Sequence, residues 1–217
     1  MPITTLLIDL DDTLYPHTSG LWGEIRANIN RYLAEKMGFT PEEIARLREP
    51  YFTTYGTTLR GLQMHHDVAP DGYLRFVHDV PVGEYLRPDP ALKAMLESLP
   101  QPRWIFTNAD ADHAQRVLEA LDVADCFAGI IDVRALDYQP KPNPQVYQSA
   151  LEITGAASPA NCLYADDSIR NLAAAQEQGF CTVLVGADGT HTTADYHLPS
   201  IHLLPSVVNG CGGVSDV

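Results

Sequence analysis

The chain has 217 residues, 45% of them hydrophobic, and 28 acidic against 14 basic side chains give a formal net charge of −14. That size suits one domain carrying a sizeable insertion, or one large and one small domain. The acidic balance, with no basic stretch anywhere, argues against a nucleic-acid polymer or a membrane surface as partner, and no apolar run approaches the roughly 20 residues of a membrane span. An acidic protein that handles an anionic substrate needs local positive charge from a metal or a placed Lys or Arg. Cys126, Cys162, Cys181 and Cys211 show no C-x-x-C spacing, which reads as four reduced thiols. The N-terminus enters the first strand directly, so the expected location is the cytoplasm.

That strand is the apolar run Thr4 to Ile8, which ends abruptly in Asp9-Leu10-Asp11-Asp12. Such a run predicts a strand buried on both faces of a parallel sheet. Alternate side chains share a face, so Asp9 and Asp11 point together, and like charges so close persist only beside a cation or a shared proton. Asp12 points the other way and is expected to hydrogen-bond the turn.

After Tyr15-Pro16 the pattern turns helical for about seventy residues. Leu21, Ile25, Ile29 and Leu33 mark a first helix, with Thr18 or Ser19 available as its cap. Thr40-Pro41-Glu42-Glu43 starts a second with a capping box, which Pro50 interrupts or kinks. Shorter helices follow around Leu59 to His65 and from Asp71 to His78. Phe52 and Met64 read as core of this module. Pro81, Gly83, Pro88 and Pro90 mark the return to the main domain, so residues 16–86 form a helical insertion in a core of 1–15 and 87–217.

Strands and helices then alternate. Strands are predicted at Arg103 to Thr107, Gly129 to Val133, Cys162 to Ala165 and Cys181 to Val185, with a short one near Ala194 to Tyr196. Helices follow Asp89-Pro90, Asn108 and Asn143-Pro144, another ends before Gly179, and a last one runs near Leu204 to Val208. The Gly-rich tail from Asn209 is expected to fray. The fold class is α/β, a doubly wound parallel sheet with an inserted α-helical domain.

Parallel strands point their carboxyl ends the same way, so the polar residues after them converge on one crevice. These are Asp9 and Asp11, Thr107-Asn108, Lys141 and Asp166-Asp167. The set matches phosphoryl transfer. Asp9 can attack phosphorus, hard oxygen ligands favour Mg²⁺, and Lys141 supplies fixed positive charge. Thr107 can bind the transferring oxygens, and Asp11 can move a proton to and from the reacting oxygens.

Asp9-Leu10-Asp11-Asp12-Thr13-Leu14-Tyr15, Phe106-Thr107-Asn108, Lys141-Pro142 and Tyr164-Ala165-Asp166-Asp167-Ser168-Ile169-Arg170-Asn171 resemble, in order, the four signature motifs of the haloacid dehalogenase-like hydrolases. The resemblance implies a Rossmann-like core with a small helical cap, Asp9 as nucleophile and Asp11 as acid/base. It also implies Mg²⁺ bound by the Asp9 carboxylate, the Asp11 main-chain carbonyl and a carboxylate of the fourth motif. The resemblance leaves open which of Asp166 and Asp167 binds directly, and Asp167 direct with Asp166 through water is the favoured assignment. Leu14-Tyr15-Pro16, Tyr55-Gly56-Thr57-Thr58-Leu59-Arg60-Gly61-Leu62, Phe106-Thr107-Asn108-Ala109, His113-Ala114 and Arg116-Val117-Leu118 are similar to the pyrimidine 5′-nucleotidase branch.

That similarity implies a nucleoside monophosphate such as UMP or CMP as substrate; the expected assembly, which the sequence does not fix, is a monomer or homodimer. Asn108, Tyr55, Arg60 and His65 are the candidate substrate-binding residues. His65 and His66, adjacent on a helix, cannot easily share a metal. Three alternatives compete. They are a phosphatase for a sugar phosphate or phosphoglycolate, a metal-free haloacid dehalogenase, which does not need Asp11, and a phospho-accepting receiver domain. The receiver is a shorter chain whose acceptor Asp follows a later strand.

Overall fold

The computed structural model describes residues 2–186 and 193–208. One sheet contains β1 (Thr5–Ile8), β2 (Arg103–Phe106), β3 (Gly129–Ile131), β4 (Cys162–Asp166), β5 (Cys181–Val185) and β6 (Tyr196–Leu198). Its order is β3-β2-β1-β4-β5-β6, with every pairing parallel. The chain winds outward from β1 to β3, then returns to the other side of β1 with β4. Ligand crevices in open α/β sheets lie outside the strand ends at such a reversal. Register makes this concrete, because Ile8 pairs with both Ile105 and Ala165. Asp9 and Asp166 therefore leave the sheet at one level, with Thr107 just beyond.

β1 is buried along its whole length. Leu6 and Ile8 enter the core on one face, Leu7 the core on the other, where it packs with Phe106, Tyr147 and Tyr164. Helices cover both faces: α6 (Pro90–Glu97), α7 (Ala111–Ala120), α8 (Pro144–Thr154), α9 (Ile169–Glu177) and α10 (Pro205–Val208).

Between β1 and α6 lies the helical region: α1 (Leu21–Met37), α2 (Pro41–Tyr55), α3 (Thr58–His65), α4 (Pro70–Val77) and the single turn α5 (Val82–Tyr85). The α2 capping box forms as predicted, with Thr40 N–H donating to Glu43 and Glu43 N–H to Thr40. Pro50 does not end this helix, because Ile44 and Tyr51 bury its apolar side and carry it through the missing N–H. Neither Thr18 nor Ser19 is the N-cap of α1; Gly20 is, in the left-handed conformation. Phe52 and Met64 are about half exposed instead of forming core.

β3 stops at Ile131, two residues early. The Asp132 carboxylate takes the N–H groups of Ala111 and Ala135 and turns the chain out of the sheet. β6 begins two residues later than predicted. Cys126 and Cys162 are free, but Cys181 is disulfide-bonded, against the expectation of reduced thiols throughout; Cys211 and the tail from Asn209 lie outside the described residues. Among the described residues no helix is long and apolar enough to cross a membrane.

Candidate active site

Lys141 is the hub of the site. It is 1% exposed, and its ammonium donates to Asp9 Oδ1 at 2.6 Å, to the Phe106 carbonyl at 2.6 Å and to Asp166 Oδ2 at 3.0 Å. The cation also lies over the rings of Phe106 and Tyr164. Burial alone would lower its pKa, but Asp166 and Asp9 outweigh that and hold it above the ordinary lysine value. A permanently charged, immobile ammonium results. Asn108 fixes the backbone that carries it, accepting the Lys141 N–H at 2.8 Å and donating to the Lys141 carbonyl at 3.2 Å. Gly56 from the helical region packs against that same carbonyl.

Asp9, Asp166 and Asp167 bring one carboxylate oxygen each within 4.8 Å of one another. Burial raises Asp9 well above the usual carboxylate range; Lys141 opposes the rise, and Asp166 and Asp167 add to it. Asp167 is raised to about 7 by enclosure and then by the neighbouring Asp166 and Asp12. Three anions against one ammonium leave the cluster short of positive charge, which a hard divalent cation would supply.

The two fourth-motif carboxylates differ sharply. Asp166 is fully buried and saturated: Tyr164 O–H and Lys141 reach Oδ2, Ser168 N–H donates to Oδ1 at 2.7 Å, and Asn171 reaches both oxygens. Among the described residues the Asp167 carboxylate has one long hydrogen bond, from Thr13 Oγ1 at 3.5 Å, and it opens to the cavity. The oxygen free to ligate is that of Asp167.

Asp11 lies beside the cluster, with Oδ1 accepting from Tyr15 O–H and His113 Nε2. Asp12 adopts φ +61° and bonds His17 at 2.7 Å, as its turn role predicts. Thr107, 1% exposed, accepts the Ala109 N–H through its hydroxyl oxygen and so keeps its own hydrogen for a ligand.

A cavity of about 960 Å³ opens above these groups, between the core and the helical region. Its floor is Asp9, Asp11, Thr107, Lys141 and Asp167, and its far wall includes Trp22, Arg26, Asn30, Arg48, Phe52 and Tyr73. Arg48 donates to Asn30 Oδ1 at 2.8 Å, while its buried Nε–H has no partner among the described residues. Arg170, from the first turn of α9, donates to the Phe52 and Thr53 carbonyls at 3.0 Å each and lies over the Phe52 ring, tying α2 to the core.

A family described as haloacid dehalogenase-like hydrolase matches residues 3–179. The chain belongs to the haloacid dehalogenase-like hydrolases. Asp9, Asp166 and Asp167 give it an acidic candidate metal site. It is 28% identical over 210 residues to Phosphate metabolism protein 8 of Saccharomyces cerevisiae, covering 90% of this chain but 64% of that protein. The HAD phosphatase of Thermococcus onnurineus shares the fold with a TM-score of 0.65 at 17% identity, over 97% of this chain and 99% of that one. L-2-haloacid dehalogenase of Xanthobacter autotrophicus does so with 0.63 at 18%, over 96% and 99%. Phosphatase and dehalogenase thus match the haloacid dehalogenase-like fold equally, and chemistry must be read from the side chains.

The structure brings Asp9, Asp11, Thr107, Lys141, Asp166 and Asp167 together within this hydrolase fold. Asn108 reaches the cavity, but its amide is engaged with the Lys141 backbone. Tyr55, Arg60 and His65 do not line the cavity; Tyr55 O–H and His65 Nε2 pair with each other at 2.6 Å, and His65 stacks on Tyr51. Sequence reasoning gave Arg48 and His78 no role, read Phe52 as core, and used His113 only as part of the branch resemblance. His113 alone carried a local signal, since a histidine on the apolar stripe of α7 with Ala114, Val117 and Leu118 needs a buried partner.

Proposed function

We propose that this hydrolase is a Mg²⁺-dependent phosphomonoester hydrolase that works through an aspartyl-phosphate on Asp9, with pyrimidine nucleoside 5′-monophosphates as substrates. The observation that carries the reading is the buried Lys141 ammonium held between Asp9 and Asp166 on the floor of a cavity, with the Asp167 carboxylate left open beside it. The Asp9 and Asp167 carboxylates and the Asp11 main-chain carbonyl would hold Mg²⁺, with Asp166 acting through water. When bound, the ion supplies the positive charge that offsets the carboxylates and a phosphate.

Asp9 then forms a bond to phosphorus as the ester P–O bond breaks, and the electron pair leaves on the ester oxygen. Asp11 gives that oxygen a proton. Burial alone would raise Asp11, but His113 and Tyr15 outweigh it and hold the carboxyl below its ordinary value. A bound phosphate is a like charge that pushes it back up and favours the acid form. In the second half Asp11 takes a proton from water, the water oxygen bonds to phosphorus, and the Asp9–phosphorus bond breaks. Lys141 orients Asp9 and stabilises charge on the transferring group, and Thr107 donates its hydroxyl to a phosphate oxygen. A metal-free dehalogenase would make no use of Asp11 or of an open Asp167.

The helical region acts as the cap. Trp22 and Phe52 offer flat apolar surface, and the Arg48–Asn30 pair offers donors to an oxygen acceptor, which suits a pyrimidine with its carbonyl edge. The name of the yeast relative places that protein in phosphate metabolism, in keeping with a phosphate ester. A panel of UMP, CMP, AMP, sugar phosphates and phosphoglycolate, with Asp9→Asn and chelated enzyme as controls, tests the proposal. Preference for UMP and CMP with both controls inactive is expected. Preference for another ester overturns the substrate, and full activity in either control overturns the mechanism.

A further inference from the structure

The acid/base carboxylate is held from behind. Asp11 Oδ1 accepts two hydrogen bonds, from the Tyr15 hydroxyl at 2.5 Å and from His113 Nε2 at 3.2 Å. Among the described residues Oδ2 has no hydrogen-bond partner. His113 is fully buried, and among the described residues its Nδ1 has no partner. An ionised carboxylate oxygen only accepts, so Nε2 carries the hydrogen of this contact and donates it to Asp11. The ring cannot swing away. It stacks on His78 at 4.5 Å and 17°, and His78 Nδ1 bonds Asp110 Oδ2 at 2.6 Å. Asp110 in turn caps α7 by accepting the His113 N–H at 2.8 Å. His78 closes α4 of the helical region, and Arg116 of α7 donates to its carbonyl at 2.6 Å.

We propose that His113, together with Tyr15, is a positioning residue for Asp11. Two donors on Oδ1 fix the rotation of the carboxylate and leave Oδ2 as the oxygen that carries the proton. The stack behind His113 places a helical-region side chain in the same support, so the acid/base is aligned jointly by core and cap. This rests on the phosphatase reading above, since only a step that protonates a leaving oxygen needs that alignment. Proton transfer demands hydrogen-bond reach, and a carboxylate free to rotate presents the wrong oxygen part of the time.

The leaving group reads the effect out. A p-nitrophenolate leaves with little help from an acid, whereas an alkoxide needs its proton. kcat/KM is measured for p-nitrophenyl phosphate and for the alkyl phosphate that the wild-type enzyme takes best, in His113→Leu, His113→Gln and Tyr15→Phe. The Leu variant should lose at least about tenfold more on the alkyl ester than on the aryl ester, a loss within the range of general-acid catalysis. The Gln variant, whose amide restores an N–H near Nε2, should recover most of that ratio. Tyr15→Phe should shift it the same way, and carries the test alone if the Leu variant does not fold. Equal losses on both esters, or a Gln variant no better than Leu, overturn the inference and leave the phosphatase reading standing. A wild-type enzyme inert toward every phosphate ester overturns both.

Discussion

Replacing Lys141 with Met keeps the volume and removes the charge, which isolates what the ammonium does. In the folded protein it faces Asp9 and Asp166 at 2.6 and 3.0 Å and the Phe106 carbonyl at 2.6 Å, all out of water. Removing one partner of a buried ion pair leaves the other uncompensated and costs about 3–5 kcal/mol. At about 2–4 °C per kcal/mol for a chain of this size, the melting midpoint at pH 8 without metal should fall by about 6–20 °C. The pH dependence gives the sign. Burial already holds Asp9 above its unfolded value, and Lys141 is the group that pulls it down. Without Lys141 the native state binds protons more tightly still. Stability must then rise as pH falls from the raised folded pKa toward the unfolded one near 3.8, so the deficit should narrow at pH 5. Mg²⁺ should recover part of it at pH 8, because a bound cation stabilises the state that binds it. Turnover of p-nitrophenyl phosphate should drop at least about 100-fold. Scanning calorimetry at pH 5 and 8, with and without Mg²⁺, decides the matter. A variant that melts like the wild type at both values would show that Lys141 does not neutralise the cluster.

Asp167→Asn and Asp166→Asn should separate the two carboxylates. The former should raise the Mg²⁺ concentration needed for half-maximal activity while melting no lower without metal at pH 8, because its carboxyl, raised to about 7, is a crowded anion there. Asp166→Asn should lower the melting midpoint, since it weakens a fully buried acceptor of Tyr164, Lys141 and Ser168; the same melts check both. Gly56→Ala places a Cβ 2.6 Å from the Lys141 carbonyl at φ +88°, so it should destabilise by about 2 kcal/mol or more and lower kcat, read by denaturant melts and initial rates. Arg48→Gln should raise KM for UMP about tenfold, the worth of one charged hydrogen bond, while leaving p-nitrophenyl phosphate turnover near wild type.

Much of this protein is written locally. A run of apolar residues stopping in Asp9-Leu10-Asp11 marks a covered strand that ends in an acidic turn, since strand burial is read from the run itself. β1 stops at Ile8, however, and the turn after it, not strand alternation, carries Asp11 to the cavity. The alternation of strands and helices fixes a parallel sheet, and parallel direction brings Asp9, Thr107 and Asp166-Asp167 to one edge, where Asn108 holds the loop that carries Lys141. The Thr40 capping box is likewise a matter of four adjacent residues. Tertiary structure decided which partner each side chain finds. Asp166 became the saturated carboxylate and Asp167 the open one through the reach of Tyr164, Lys141 and Asn171. Asn108 turned to the Lys141 backbone, and Tyr55 and His65 turned to each other. Arg48 and Phe52 entered the cavity wall only because α2 packs over the strand ends, held there by Arg170 from 118 residues away. His113 meets Asp11 across 102 residues. Helix and strand periods set the face a residue shows its own element, and the packing of elements sets what stands opposite that face.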